Sequence, residues 1–197
     1  MKKIVFLICS LFCGAANATA ITFDESAGVF SDGYGGLDWS GFGRVHTPTY
    51  FTQDTGYVRG NISPEYTAFT SSSSGAPATV SIASGTFDFT GAYITAAWQN
   101  DLTVYIDGLL SGSTLFSQVF TINDDAPIFT NSNFLGIDTL NIYTFSGVDA
   151  GTPGGGKHVA IDNFTINESV SVPEPASIAL LGLGLAGIGF SRKKKTS

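Results

Sequence analysis

Two stretches that read as paired strands decide the fold: Leu102-Thr103-Val104-Tyr105-Ile106-Asp107 and Thr114-Leu115-Phe116-Ser117-Gln118-Val119-Phe120-Thr121-Ile122. In the first, aliphatic side chains alternate with polar or aromatic ones, and the second alternates in the same way. Side chains of a strand point to opposite faces in turn, so this period of two predicts strands with one buried face. Ser111-Gly112 supplies the turn between them, and Asp107-Gly108 is a rival turn position.

The rest of the domain shows the same pattern of short strand-like runs separated by turns. No stretch between Ile21 and Val172 shows sustained helical periodicity, and Gly, Ser, Thr, Asn and aromatic residues dominate. Short alternating runs between turn signals are typical of an all-β antiparallel β-sandwich or jelly roll. The other candidate strands are 20–23, 66–70, 78–83, 86–89, 93–98, 137–145 and 158–166.

The N-terminus is that of a secretory signal peptide over residues 1–20. Two lysines precede an apolar run, and Ala18-Thr19-Ala20 fits the small-x-small cleavage rule. The mature chain is expected to begin at Ile21, with a cut after Ala18 as the alternative. Both cysteines, Cys9 and Cys13, fall inside this segment, so the mature protein is predicted to have no disulfide and no thiol chemistry.

The C-terminal segment has three parts in a fixed order. Pro173-Glu174-Pro175 is followed by an uncharged apolar run, 176–190, and then by the basic block Arg192, Lys193, Lys194, Lys195. As a helix the run would reach ~22 Å at about 1.5 Å per residue. That is short of the roughly 30 Å hydrocarbon core, and the basic block would stay on the cytoplasmic side. The sequence therefore predicts a β-sandwich domain over 21–168, a linker over 169–172 and a membrane-directed segment over 173–197.

This order of parts resembles the PEP-CTERM sorting signal of Gram-negative bacteria. The resemblance implies that a membrane-embedded exosortase recognises the segment and removes it. It also implies export to the cell surface alongside exopolysaccharide, from a precursor anchored in the inner membrane. An ordinary C-terminal anchor is the alternative, but it leaves Pro173-Glu174-Pro175 without a purpose.

The predicted domain is strongly acidic, whereas both ends of the chain are basic. Between Ile21 and Val172 only Arg44, Arg59 and Lys157 are basic, against fifteen acidic side chains, so the net charge there is near −12. Nucleic acids and anionic lipids need clustered Lys and Arg, so this balance argues against both as partners. It favours solubility and cation binding.

The order of elements also resembles galactose-binding-like jelly-roll domains. In many such sandwiches the first and last strands lie together, and an acidic residue from each shares a metal ion. The resemblance implies a calcium site formed by Asp24 or Glu25 with Asp162, with carbonyl groups of Gly154, Gly155 and Gly156 as further ligands. Carboxylate and carbonyl oxygens are the ligands that Ca²⁺ prefers. The alternative is a structural carboxylate that accepts hydrogen bonds from backbone amides.

A glycine-rich loop suggests a sugar site. Trp39 and Tyr34 could stack on a sugar ring, and Asp38 could accept hydrogen bonds from its hydroxyl groups. The alternative is that Trp39 closes one end of the core, as large aromatic residues usually do.

Catalytic patterns are missing from the sequence. His46 and His158 are isolated, and no Gly-x-Ser-x-Gly elbow or phosphate loop is present. We therefore expect a noncatalytic exported protein of the cell envelope or extracellular matrix that associates with exopolysaccharide. A polysaccharide hydrolase or lyase, and a structural protein without a specific ligand, are the alternatives.

Overall fold

A computed structural model describes residues 19–24, 32–50, 54–71 and 76–167. Almost all regular structure in these ranges is β, with two helices of a single turn. The elements are β1 Thr19–Ile21, β2 Asp38–Ser40, β3 Phe42–His46, α1 Thr47–Tyr50, α2 Gly56–Arg59, β4 Tyr66–Thr70, β5 Ala78–Ser81, β6 Phe87–Ala96, β7 Gln99–Leu110, β8 Ser113–Ile122, β9 Ile128–Phe129, β10 Phe134–Ile137, β11 Thr139–Asp149 and β12 Val159–Ile166.

The strands form two antiparallel sheets. The seven-stranded sheet has the order β10-β6-β12-β4-β3, with β1 beside β12 and β9 beside β6. The five-stranded sheet has the order β2-β5-β11-β7-β8. The chain passes repeatedly from one sheet to the other, as in a jelly roll. The predicted antiparallel β-sandwich is confirmed, and its first and last strands are paired.

The core lies between the sheets and is rich in aromatic rings. Trp39 packs edge-on against Phe23, Phe42 and Phe164, with ring centroids 5.6, 5.1 and 5.1 Å away. Phe89 continues this cluster from the seven-stranded sheet. Each buried ring contributes roughly 1.5–3 kcal/mol relative to exposure, so the aromatic contacts between β2, β12 and β6 hold the two sheets together.

The hairpin predicted from the opening stretches is confirmed. β7 and β8 pair from Leu102↔Ile122 to Leu110↔Ser113. Ser111 and Gly112 form the turn, and both have positive φ angles, 51° and 77°. Two successive positive φ angles are typical of the hairpin turn whose twist matches that of the strands. Asp107-Gly108, the rival turn position, lies inside β7.

Simple alternation along the last strand is wrong at one point. It predicts that Asp162 and Phe164 share a face, with Ile161 on the other. Ile161 and Phe164 instead both lie in the core, while Asp162 faces away from it. The pairing register of β12 with β6 shifts between Asp162 and Thr165, and Asn163 has a φ of 48°. A β-bulge inserts an extra residue here, so the side chains that follow it switch to the opposite face of the sheet.

The chain ends predicted to be processed fall largely outside the described residues. This holds for the signal peptide up to Ala18, for the linker and for the sorting segment. Thr19 and Ala20 pair with Ile166 and Thr165, so cleavage after Ala20 would remove two of the three residues of β1. Within the described ranges, no helix is long and apolar enough to cross a membrane.

Candidate functional site

Asp162 is fully buried and joins β12 to the segment that precedes β4. Its Oδ2 accepts hydrogen bonds from the amides of Ile62 and Ser63, both at 2.7 Å. Its Oδ1 accepts from Ser63 Oγ at 2.8 Å and from the Asn163 amide at 2.7 Å. A carboxylate offers about four lone-pair positions, so all are in use. We call this arrangement the Asp162 clamp.

The clamp also fixes the first strand and determines the electrostatics of the carboxyl group. Ser63 Oγ lies 3.1 Å from the carbonyl oxygen of Thr22, which directly follows β1. Burial raises the pKa of Asp162 above its ordinary value, and the hydrogen bonds from Ser63, Asn163 and Ile62 oppose that rise. The Asp162 side chain therefore connects β12 to residues 62–63, and Ser63 lies against the end of β1.

The residues predicted to bind calcium are only partly brought together. Asp24 Oδ1 accepts a hydrogen bond from the amide of Tyr66, at 3.0 Å, and Tyr66 follows Ser63 of the Asp162 clamp by three residues. Glu25 lies outside the described residues, and within those residues no group of three or more His, Cys, Asp or Glu side chains could hold a metal ion. A calcium ion at Asp162 would have to displace a hydrogen bond of the clamp. The site stays a prediction.

The glycine-rich loop holds its tryptophan inside the domain. Trp39 is 7% exposed, and its Nε1 donates to the carbonyl oxygen of Tyr34 at 2.9 Å. Asp38 Oδ1 accepts from the Gly33 amide at 3.0 Å, which closes the loop. The ring of Trp39 therefore presents no face to solvent for a sugar. Tyr34 and Asp38 are both half-buried, and their binding role stays a prediction.

His158 belongs to a small aromatic cluster on the other side of the seven-stranded sheet. Its ring stacks on Phe69 at 5.6 Å and packs against Trp98 at 5.2 Å, while Nδ1 lies 3.0 Å from the hydroxyl of Tyr57. Gly154 allows this packing, because a Cβ there would lie 2.0 Å from Trp98 Nε1. Burial lowers the pKa of His158 and raises that of Tyr57.

The lowered pKa of His158 predicts a loss of stability in mild acid. The unfolded chain binds a proton near pH 6.5, whereas the folded chain resists it, so the free energy of unfolding falls as the pH drops from about 6.5 toward the lower folded pKa. Urea unfolding at about pH 7.5 and about pH 5.5 should show this slope, and His158→Gln should reduce it. His46→Gln is the matched control. A slope unchanged in His158→Gln contradicts the assignment.

A distinct surface lies on the outer face of the five-stranded sheet. Tyr105 on β7 stands opposite Tyr143 on β11, and Phe145 follows two residues later on the same face. Tyr105 is 36% exposed and Phe145 is 50% exposed, with ring centroids 5.4 Å apart. These rings and Asp107 line an open depression of about 340 Å³. We call Tyr105, Asp107, Tyr143 and Phe145 the aromatic platform.

A row of polar side chains crosses the sheet beside the rings. Asn141 stands opposite Asp107 on one side and Thr79 on the other, and Ser117 of β8 stands opposite Asp107. Thr79 Oγ1 donates to Asn141 Oδ1 at 2.8 Å, and Ser117 Oγ donates to Asp107 Oδ1 at 2.6 Å. These bonds fix the amide and the carboxylate in place. Small-ligand sites are typically apolar surfaces with a few oriented polar groups, in volumes of about 300–1,000 Å³.

The aromatic platform matches no sequence motif, but it leaves a pattern in the outward-facing positions of β11. On β11 the buried positions are Leu140 and Ile142, and the intervening outward positions are Asn141, Tyr143 and Phe145. Solvent-facing positions of an antiparallel sheet are ordinarily polar. Two aromatic residues on that face, opposite a third on β7, are the unusual feature, and it becomes visible only once the strand register is known.

Comparisons with known proteins place a sorting signal in the chain. Residues 171–193 match the model of the PEP-CTERM protein-sorting motif, so the predicted signal is confirmed. The motif identifies an exported bacterial protein that is targeted to an exosortase and passes from the membrane to the surface. No curated protein matches the chain in sequence.

Two solved structures are similar in fold at very low identity. A DUF4465 family protein from Bacteroides ovatus is 8% identical, with a TM-score of 0.48 over 77% of this chain and 89% of that one. TmCBM61, solved in complex with β-1,4-galactotriose, is 10% identical, with a TM-score of 0.34 over 68% of this chain and 87% of that one.

Proposed function

We propose that this chain is a noncatalytic, exosortase-processed glycan-binding protein of the cell envelope or extracellular matrix, and that the aromatic platform is its binding site. One observation carries the proposal: two exposed aromatic rings, Tyr105 and Phe145, and the half-buried Tyr143 lie beside a fixed row of polar side chains on one sheet face. Sugar rings have an apolar face of C–H groups and an edge of hydroxyl groups. The aromatic rings can stack on the C–H face, and the polar row can form hydrogen bonds with the hydroxyl groups.

The polar groups at the platform retain capacity for a ligand. Asp107 Oδ2 has no protein donor among the described residues, because the bond from Ser117 uses Oδ1. The Tyr143 hydroxyl accepts from Asn141 Nδ2 at 3.3 Å, which leaves its own proton to donate. The acceptor Asp107 and the donor Tyr143 are both neighbours of Tyr105 on this face, so they are placed to bond hydroxyl groups of a sugar stacked there.

Charge favours neutral glycans over acidic ones. The described residues contain three basic side chains, and none belongs to the platform. Arg44 lies over the rings of Tyr34 and Tyr66, Arg59 pairs with Asp124, and Lys157 precedes β12. Asp107 would repel a uronic acid carboxylate, and no nearby cation offsets that repulsion. We therefore assign the site to uncharged exopolysaccharide segments.

The arrangement does not favour the alternative of a hydrolase or lyase. Glycoside hydrolysis requires two carboxyl groups about 5–10 Å apart across the scissile bond. Asp107 is the one acidic side chain that lines the platform among the described residues. A single carboxylate orients a ligand but does not supply both the acid and the base.

Titration against polysaccharides tests the assignment. We expect the exported protein to bind one or more neutral polysaccharides, such as glucans, galactans or mannans, and to bind polyuronates more weakly. Binding should change little between about 50 mM and about 500 mM salt, because no ion pair contributes. Asp107→Ala should weaken binding roughly tenfold or more by removing a charged acceptor.

Asp125→Ala provides the matched control, since Asp125 is exposed and lies between β8 and β9, away from the platform. Calorimetry or affinity electrophoresis gives the readout. Failure to bind any neutral polysaccharide at millimolar sugar, or a preference for polyuronates, would refute the proposal.

A further inference from the structure

Strand β8 is a long, uncharged sheet edge whose one bulge, at Leu115 beside the turn, leaves residues 116–122 in regular register with β7. It is the terminal strand of the five-stranded sheet and, among the described residues, it pairs with β7 alone. Its ten residues, Ser113–Ile122, include no charged residue and no proline. Natural proteins usually protect such an edge with charges, proline, bulges or a covering segment, because its outer N–H and C=O groups are a template for another strand.

The inward-facing side of this edge is incompletely covered. Phe116, Gln118 and Phe120 point toward the core but remain only half-buried. Phe116 stacks on Phe134 at 5.1 Å. Between the two phenylalanines, Gln118 Oε1 is buried and has no hydrogen-bond partner. A buried amide oxygen without a donor costs free energy, so its missing partner needs an explanation.

We infer that β8 pairs with β8 of a second copy, antiparallel and with Gln118 on the two-fold axis. The two Gln118 side chains then lie directly opposite, and rotation of the terminal amide lets Oε1, which is buried in a single copy, accept from the Nε2 of the other. Phe116 of each copy faces Phe120 of its partner, so the rings cover the open end of both cores. A two-fold interface requires such a self-complementary patch.

The row Phe116, Gln118, Phe120 is symmetric about Gln118 and so fits a second copy of itself, and charge restricts two copies to this edge. The domain carries fifteen acidic and three basic side chains, so two copies repel each other over most of their surfaces. The β8 edge is uncharged along its whole length, which allows two acidic domains to approach there. The outward side chains Leu115 and Val119, 51% and 53% exposed, add apolar area on the same edge.

The pairing has a consequence for ligand binding. Because β7 lies next to β8 and β11 lies next to β7, the two aromatic platforms would lie on one continuous sheet face and could hold a single polysaccharide at two points. This consequence rests on the proposed function, whereas the pairing itself does not.

Cysteine cross-linking tests the register. Both native cysteines lie in the predicted signal peptide, so Gln118→Cys introduces one thiol per mature chain. Directly opposite residues of antiparallel strands have Cα atoms about 4.5–5.5 Å apart, within the range of a disulfide. We expect the exported Gln118→Cys protein to form a disulfide-linked dimer under mild oxidation. Val148→Cys, 62% exposed but on β11, is the control and should remain largely uncrosslinked.

Sedimentation tests the interface without relying on the fold of that variant. The wild-type protein should be dimeric at high concentration. In the inferred register Leu115 faces Thr121 of the partner, so L115E/T121E opposes like charges at both ends and should weaken dimerisation by about 100-fold. L135E/V148E adds the same charge on exposed residues away from the edge and should not. A wild-type monomer at every concentration, a dimer that survives L115E/T121E, or no Gln118→Cys cross-link overturns the inference.

Discussion

Asp162→Ala is expected to lower the free energy of unfolding by about 3–5 kcal/mol, which is large for a single substitution. The substitution removes the acceptor for four hydrogen bonds inside a fully buried site. The amides of Ile62, Ser63 and Asn163 then lose the acceptor that they share. A domain of this size has roughly 5–15 kcal/mol of stability in total, so the variant should be close to unfolding at physiological temperature.

Two further variants separate the lost bonds from the lost charge. Asp162→Asn keeps one oxygen, which can still accept from Ile62 and Ser63, while its amide nitrogen can donate to Ser63 Oγ. Only the Asn163 amide then faces another donor instead of an acceptor. The free energy of unfolding of Asp162→Asn should therefore fall by about 1–2 kcal/mol. Asp149→Ala is the matched control, because Asp149 is exposed and accepts a single bond, from the Gly151 amide at 2.8 Å. Its effect should stay below about 1 kcal/mol.

Urea unfolding with and without EDTA distinguishes the clamp from the calcium site predicted from the sequence. The clamp uses every lone pair of Asp162, so the loss in Asp162→Ala should be the same in both conditions. If calcium joins Asp24, Glu25 and Asp162, the chelator should destabilise the wild-type protein and leave Asp162→Ala unchanged. A near-neutral Asp162→Ala in either condition contradicts the clamp.

The β12 bulge shows where sequence reasoning on the fold stopped. Alternation sufficed for β7 and β8, because each strand keeps its period of two from end to end apart from one shift near the turn. It failed on β12, where Asn163 adopts a positive φ and the register shifts. Asn is among the residues that tolerate this conformation, but most asparagines do not adopt it. Only the pairing with β6 reveals which asparagine does.

The candidate sites were hard to predict from the sequence for a different reason, which is that exposure depends on tertiary packing. The sequence identified Trp39 by residue type and by its glycine-rich loop, yet core packing against Phe23, Phe42 and Phe164 determines its exposure. The aromatic platform was hidden for the opposite reason. Tyr105 and Tyr143 are 38 positions apart in the sequence, and they become neighbours only through the pairing of β7 with β11. Long-range strand pairing cannot be read from local periodicity.

Removing both tyrosines of the aromatic platform should cause the largest loss of glycan affinity. Each exposed ring that stacks on a sugar is expected to contribute about 1.5 kcal/mol through buried apolar area and C–H contacts with the ring face. Since about 1.4 kcal/mol corresponds to a tenfold change, Tyr105→Ala with Tyr143→Ala should weaken binding by about 100-fold. Calorimetric titration with the tightest neutral polysaccharide found for the wild-type protein measures the effect.

The fold should survive this double substitution, because Tyr105 and Tyr143 lie on the outer face and the core residues beneath them are unchanged. Phe129→Ala is the matched control: Phe129 is 39% exposed and contacts one other ring, Tyr93, at 5.2 Å, but it lies on the seven-stranded sheet. It should bind like the wild type. Full binding by the double variant would exclude the platform as the site. The loop with Tyr34 and Asp38 would then be the remaining predicted site, which Asp38→Ala tests directly.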